Sequence, residues 1–179
     1  MDASASRPFP TTSLIIARTS RLFYGTFSTC GITTIPSRLF AKNTRVVDFT
    51  NTFYGCTSLV SVPTTLFDTN LEVTSFASTF QNCSSWANPM PSMFSKHTKV
   101  TTVAHLFDNC RNLTGSIPGN LLSAMTELVD VEYLFESCYK VTGTIPAELF
   151  ANNPKITDFS YVFSDCSLIT GIPEGLFDN

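Results

Sequence analysis

The chain is poor in charge: only 14% of its 179 residues are Asp, Glu, Lys or Arg, and Lys+Arg 11 against Asp+Glu 14 leave a formal net charge of -3. That balance cannot assemble the basic face that grips a phosphate backbone, so nucleic acid is excluded as a partner. Long apolar runs are also missing. The longest near the start is Leu14-Ile15-Ile16-Ala17, well short of the ~20 residues that span a bilayer, so no membrane span is expected. Met1 to Pro10 lack the basic stretch and apolar core of a secretory signal. Histidine occurs twice, at His97 and His105, and no G-x-S-x-G, H-E-x-x-H, C-x-x-C or phosphate-cradling glycine loop is present. These gaps argue against an enzyme and against a bound metal or other cofactor. The disordered signature of low hydrophobicity with high net charge is absent as well, since 43% of residues are hydrophobic.

What the chain has in excess is phenylalanine, 16 copies against 5 tyrosines and 1 tryptophan. They fall at regular places. Cys30, Cys56, Cys83, Cys110, Cys138 and Cys166 are spaced 26, 27, 27, 28 and 28 apart, and each follows a phenylalanine by three residues: Phe27, Phe53, Phe80, Phe107, Phe135 and Phe163. A period of this size marks a repeat architecture. A second motif, P-x-x-L-F, recurs at Pro36-Leu39-Phe40, Pro63-Leu66-Phe67, Pro146-Leu149-Phe150 and Pro173-Leu176-Phe177, with deviant copies at Pro91-Met93-Phe94 and Pro118-Leu121-Leu122. From its last residue to the F-x-x-C phenylalanine the distance is always 13, as from Phe40 to Phe53 or Leu122 to Phe135. Phe9-Pro10, Leu14 and Phe23 continue the register toward the start.

Each column has a local reading. Ile35, Val62, Ile117, Ile145 and Ile172 precede prolines, which impose an extended conformation, so a short strand should end there. Proline suits the first position of a helix, which makes P-x-x-L-F one helical turn with Leu and Phe inward. Thr29, Gly55, Asn82, Asn109, Ser137 and Asp165 precede the cysteines and include the types that close a turn in the left-handed conformation. Phe, Leu, Val and Cys read as core, because a lone repeat cannot offset its own ordering entropy and must stack on its copies. Trp86, in a column otherwise held by smaller residues, is expected to be partly exposed. The expected fold is an α/β repeat: a leucine-rich-repeat-like solenoid of about six 26-28-residue repeats, each with a short strand and short helical turns. It occupies residues 9-179 after an N-terminal extension at 1-8.

The run Leu66-Phe67-Asp68-Thr69-Asn70, then Val73-Thr74-Ser75-Phe76-Ala77-Ser78-Thr79-Phe80-Gln81-Asn82-Cys83, resembles the repeats of BspA-like bacterial leucine-rich-repeat surface proteins, especially the Mycoplasma-lipoprotein type. Asn112-Leu113-Thr114-Gly115-Ser116-Ile117-Pro118 is also similar to the L-T-G-x-I-P run of plant receptor repeats; the asparagine ladder of those repeats is here a cysteine ladder, which marks convergence. The BspA-like resemblance implies a cell-surface or extracellular protein that binds other proteins or glycans, with no catalytic residues to carry over. Related repeats in bacteriophage proteins imply an alternative, a structural or receptor-binding component of a virion or surface assembly.

Six cysteines in equivalent positions should lie parallel and inward as free thiols, because their direction and not their reach forbids pairing. Spacings near 27 are not zinc-ligand spacings. His105 falls between apolar columns and should face solvent, and Glu132 and Glu136, four apart, read as a solvated acidic patch. Asp68, Asp108 and Asp165 sit at turns for local reasons, and the sequons at Asn82 and Asn112 read as incidental. Up to residue 45, Arg7, Arg18, Arg21, Arg38, Lys42 and Arg45 face Asp2 alone, whereas from Glu127 onward nine acids face only Lys140 and Lys155. A basic and an acidic end would favour end-to-end self-association. Neither end carries a polar cap, which points to a segment of a longer chain or to ends covered by neighbours. The functional expectation is a non-catalytic adhesin or interaction module. Its ligand-binding residues are the outward strand positions Thr34, Ser61, Ser116 and Thr144, and its ligand is a protein or glycan.

Overall fold

Two residues in every repeat take up the left-handed backbone conformation, and the rest of the architecture follows from them. The computed structural model describes residues 20–178. Positive φ angles occur at Gly25 and Thr29, Asn51 and Gly55, Ser78 and Asn82, His105 and Asn109, Tyr133 and Ser137, and Tyr161 and Asp165. The second member of each pair is the residue before the cysteine, as the sequence suggests. The first member, two residues before the F-x-x-C phenylalanine, is not anticipated.

This spacing alternates the backbone hydrogen bonds. Asn51, Phe53 and Gly55 donate their N–H to Ala77, Thr79 and Gln81 of the next repeat, at 3.0, 3.0 and 2.8 Å. Thr52, Tyr54 and Cys56 donate instead to Phe49, Asn51 and Phe53 of their own turn, at 3.0, 3.1 and 3.1 Å. Each turn centred on a positive φ has it at the third position, where a type II turn requires it. Alternate residues thus join repeats and close turns, and the pattern recurs from Phe23 to Ser137.

The expected α/β leucine-rich-repeat-like solenoid does not form. Among the described residues there is no helix, and the only strands are β1 (Gly143–Thr144) and β2 (Ile169–Gly171), paired in parallel in one two-stranded sheet. Most of the chain is irregular. The physical reason lies in the turns: Leu39, Leu66, Leu121 and Leu149 donate to Pro36, Pro63, Pro118 and Pro146 at 3.0–3.2 Å, and the bonds that follow, such as Ala41 to Arg38 and Asn43 to Phe40, again reach three residues back and fall on alternate residues, so no helical run builds up. A left-handed residue every fourth position in F-x-x-C prevents helical propagation there. The strands end before Ile145-Pro146 and Ile172-Pro173, where the pre-proline rule puts them. Elsewhere the same ladder contracts to single parallel bridges, Pro89 with Thr114 and Gly115 with Val141. The expected extension at 1-8 and the opening of the first repeat at Phe9 lie outside the described residues.

Within this irregular backbone the 26–28-residue segments lie in register on one another. Parallel bridges link Leu22, Asp48, Ser75, Thr102 and Asp130 in sequence. Phe53 stacks on Phe80 at 5.6 Å, Phe80 on Phe107 at 6.4 Å and Phe107 on Phe135 at 5.8 Å, all within 9° of parallel. Phe49 over Phe76 and Phe40 over Phe67 form two further files. The cysteines are free. Cys56, Cys83, Cys110, Cys138 and Cys166 each donate Sγ–H to a phenylalanine carbonyl one repeat back, Phe27, Phe53, Phe80, Phe107 and Phe135, at 3.0–3.3 Å. The thiol therefore acts as a small core residue that also satisfies a buried acceptor. Burial pushes Cys56 and Cys166 up to about 11, which suppresses the reactive thiolate.

Trp86 contradicts its expected exposure: it is 1% exposed, edge-on to Phe80 at 5.2 Å and to Phe107 at 5.9 Å. Its column holds Leu59, Leu113 and Val141, all buried, so the larger ring fills the same interior space.

Ser137, at φ 54°, tests the left-handed ladder. Ser137→Gly is expected to leave stability unchanged or raise it by about 1 kcal/mol, and Ser137→Val to lower it by about 1–2 kcal/mol. Urea unfolding midpoints measure both, and a valine variant as stable as the glycine variant would contradict the assignment.

Candidate functional site

The residues singled out by sequence occupy the face beside the proline turns. Thr34, Ser116 and Thr144 are exposed and Ser61 is half-buried, while Ile35, Val62, Ile117 and Ile145 beside them point into the core. They do not make one continuous polar stripe. Pro89 holds the equivalent place in the intervening repeat, against Gly115, where an added Cβ would lie 3.4 Å from its ring. Gly143 and Gly171 leave the stripe without side chains next to Ser116 and Thr144; a Cβ on Gly171 would meet Thr144 Oγ1 at 3.2 Å. The structure brings together Ser116 with Gly143 and Thr144 with Gly171.

A second face is built differently. His105, Tyr133 and Tyr161 are each 28 residues apart, two before the phenylalanine of F-x-x-C. Their left-handed backbones, φ 55°, 56° and 58°, aim the three rings the same way. The rings form a file: His105 stacks on Tyr133 at 4.5 Å and Tyr133 on Tyr161 at 4.7 Å, within 8° of parallel. Gly25, Asn51 and Ser78 hold the same position in earlier repeats, and at the glycine and the asparagine the left-handed conformation costs little. For a bulky side chain it costs ~1–2 kcal/mol, which ring stacking at about 0.5–1.5 kcal/mol per pair offsets.

Carboxylates border this ridge on both sides. Asp108, nearly buried, accepts from Gln81 Nε2 at 2.6 Å and faces His105 Nδ1 at 2.9 Å. This pair orients the imidazole at the start of the file, and the ring is half-exposed, in line with its expected solvent contact. Across the ridge, Asp130 accepts from Thr102 Oγ1 at 2.9 Å and caps the Glu132 amide at 3.3 Å, while Asp158 accepts the Ser160 amide at 2.8 Å.

Crowding of like charge shifts the titration of this surface. Partial burial, then Asp158 and Asp130, raise Glu132 above the ordinary carboxylate range. Burial and then Asp108 raise Glu136. Asp158 is lowered by hydrogen bonds from the Ser160 side chain and backbone. Burial, followed by Tyr161, Glu136 and Glu132, raises the Tyr133 phenol. Of the carboxylates bordering the ridge, Asp108 pairs with His105, whereas Glu132 lies close enough to Asp158 and Asp130 to feel their charge. Among the described residues no group of three or more His, Cys, Asp or Glu could hold a metal ion.

The sequons have local roles: Asn112 Nδ2 donates to the Ser84 carbonyl at 2.8 Å, and Asn109 Nδ2 donates to Asn82 Oδ1. Among the described residues no helix is long and apolar enough to cross a membrane. No family model matches the sequence, and no curated protein matches it.

The ridge was missed because the sequence reading followed phenylalanine columns. The signal is the 28-residue spacing of His105, Tyr133 and Tyr161 at one register position.

Glu132 gives a pH test. Its raised pKa means that the folded state holds the proton more tightly than the unfolded chain, so stability is gained as pH falls through the carboxylate range. Glu132→Gln, neutral and still able to donate to Asp158, is expected to raise the urea midpoint at pH 7 and leave it unchanged at pH 4. An equal effect at both pH values would refute the charge crowding.

Proposed function

We propose that the chain is a non-catalytic binding module displayed outside the cell as part of an adhesin, and that its ligand is a protein segment rich in arginine and lysine. The observation that carries the reading is the acid-bordered file of His105, Tyr133 and Tyr161, held in strained backbone where other repeats use Gly, Asn or Ser. Strain of this kind concentrates at functional positions. Tyrosines locked by stacking are rigid and lose little entropy on binding, and they are favoured as interface anchors. Unneutralised carboxylates beside them steer cations. A protein ligand fits better than a glycan: sugars pack on ring faces, and in this file the faces of Tyr133 are already covered by its neighbours. The resemblance of residues 66–83 to BspA-like repeats supports extracellular display. Five buried thiols of suppressed reactivity are compatible with an oxidising environment.

The test uses nona-arginine as the probe and nona-glutamate as its control, with calorimetry at low salt. Tyr133→Asn and Tyr161→Asn install the residue that Asn51 carries at the same register, so the fold should persist. Binding of nona-arginine is expected to weaken at least tenfold in the double variant and to fade with added salt. No binding to nona-arginine, or equal binding by the double variant, would overturn the proposal.

A second reading, a component of a virion or surface assembly, is favoured by the charge distribution. Arg21, Arg38, Lys42 and Arg45 are exposed in the first described repeats, and the acidic ridge lies in the last ones. A heterologous contact between the two would give open, salt-sensitive oligomers. Sedimentation at low and high salt measures this; a monomer at both would remove the assembly reading.

A further inference from the structure

Asn43, Asn70, His97, Met125 and Asn153 share one buried column, 27 or 28 residues apart. Where asparagine stands, its amide stitches two repeats together. Asn70 Nδ2 donates to the carbonyls of Phe40 and Asn43 at 3.2 and 2.9 Å, and Asn153 Nδ2 to those of Leu122 and Met125 at 3.3 and 2.8 Å. His97 takes the same place at 1% exposure, yet neither ring nitrogen has a hydrogen-bond partner. The ring is packed edge-on to Phe76 at 5.3 Å and Phe94 at 6.0 Å. Met125, next in the column, has no amide to donate, so two consecutive positions in the middle of the stack lack the stitch.

We propose that His97 is an acid-sensitive joint: the ring is accommodated between Phe76 and Phe94 only while neutral, so acidification favours opening of the repeats around residues 67–100, where the ring can take up a proton, while the neighbouring repeats stay closed. The charged groups facing the ring are Asp68 and Lys96, which pair with each other at 3.7 Å and so leave no spare countercharge for an imidazolium. The Phe94 and Phe67 backbones complete its surroundings. Burial holds the imidazole below its ordinary value of 6.5, and Lys96 adds to this, against smaller opposing effects of the Phe94 and Phe67 backbones and Asp68. The sign follows. The unfolded chain takes up a proton near the ordinary value and the folded one does not, so the stabilising contribution of neutral His97 is complete above that value and is lost as pH falls below it.

The experiment compares thermal melts of the wild type, His97→Asn and His97→Met at pH 7.5 and 5.0, with hydrogen exchange followed by mass spectrometry. The asparagine restores the donor that Asn70 and Asn153 use, and methionine is the residue the column carries at 125. The wild type is expected to lose about 3 °C more than either variant on acidification, with extra exchange confined to residues 67–100. Should His97→Asn fail to fold, His97→Met gives the same comparison. An equal loss in the variants, or a His97 ring that titrates at the ordinary imidazole value by NMR, would overturn the proposal.

Discussion

Everything in this molecule depends on a pair of left-handed residues four positions apart in each repeat. They turn successive amides alternately along the stack and back into their own turn, and neither a helix nor a long strand can satisfy both demands. The chain therefore stays irregular within a repeat while being periodic between repeats. Phenylalanine files and cysteine thiols then fill the interior. The thiol is suited to its place because it is small, apolar and still able to satisfy a phenylalanine carbonyl one repeat back.

The same constraint creates the surface that the function reading uses. A left-handed residue points its side chain in one fixed direction, and repetition at 28 residues superposes three such side chains. Glycine accepts that backbone freely and asparagine and histidine at reduced cost, whereas tyrosine does not. The later repeats accept the cost and recover part of it by stacking. The resulting ridge is rigid before any partner arrives, and the carboxylates around it are held by short hydrogen bonds from Gln81, Thr102 and Ser160.

Much of the packing was legible in the sequence, and the secondary structure was not. The cysteine and phenylalanine spacing showed the register, the inward columns and the free thiols, because burial follows periodicity. The left-handed residue before each cysteine was legible from Asn, Gly and Ser at that place. Strands and helical turns were overread: a proline followed by Leu and Phe is compatible with a helix, but nothing in that motif reveals that the following bonds, Ala41 to Arg38 and Asn43 to Phe40, fall on alternate residues and stop short of a helix. Trp86 was misjudged since column size was taken as a limit on volume, when the interior between Phe80 and Phe107 accommodates an indole. Thr34, Ser61, Ser116 and Thr144 were chosen as outward polar positions before the prolines, and in the structure Pro89, Gly143 and Gly171 stand between and beside them. Tyr133 and Tyr161 were passed over because tyrosine is an unexpected occupant of left-handed backbone.

The most direct test is NMR in solution of the His105, Tyr133 and Tyr161 file, combining inter-ring nuclear Overhauser effects with backbone couplings that report the sign of φ. A ridge prebuilt by strained backbone predicts close inter-ring contacts along the file and positive φ at all three residues in the free protein. Rings without mutual contacts, or tyrosines with negative φ, would contradict it.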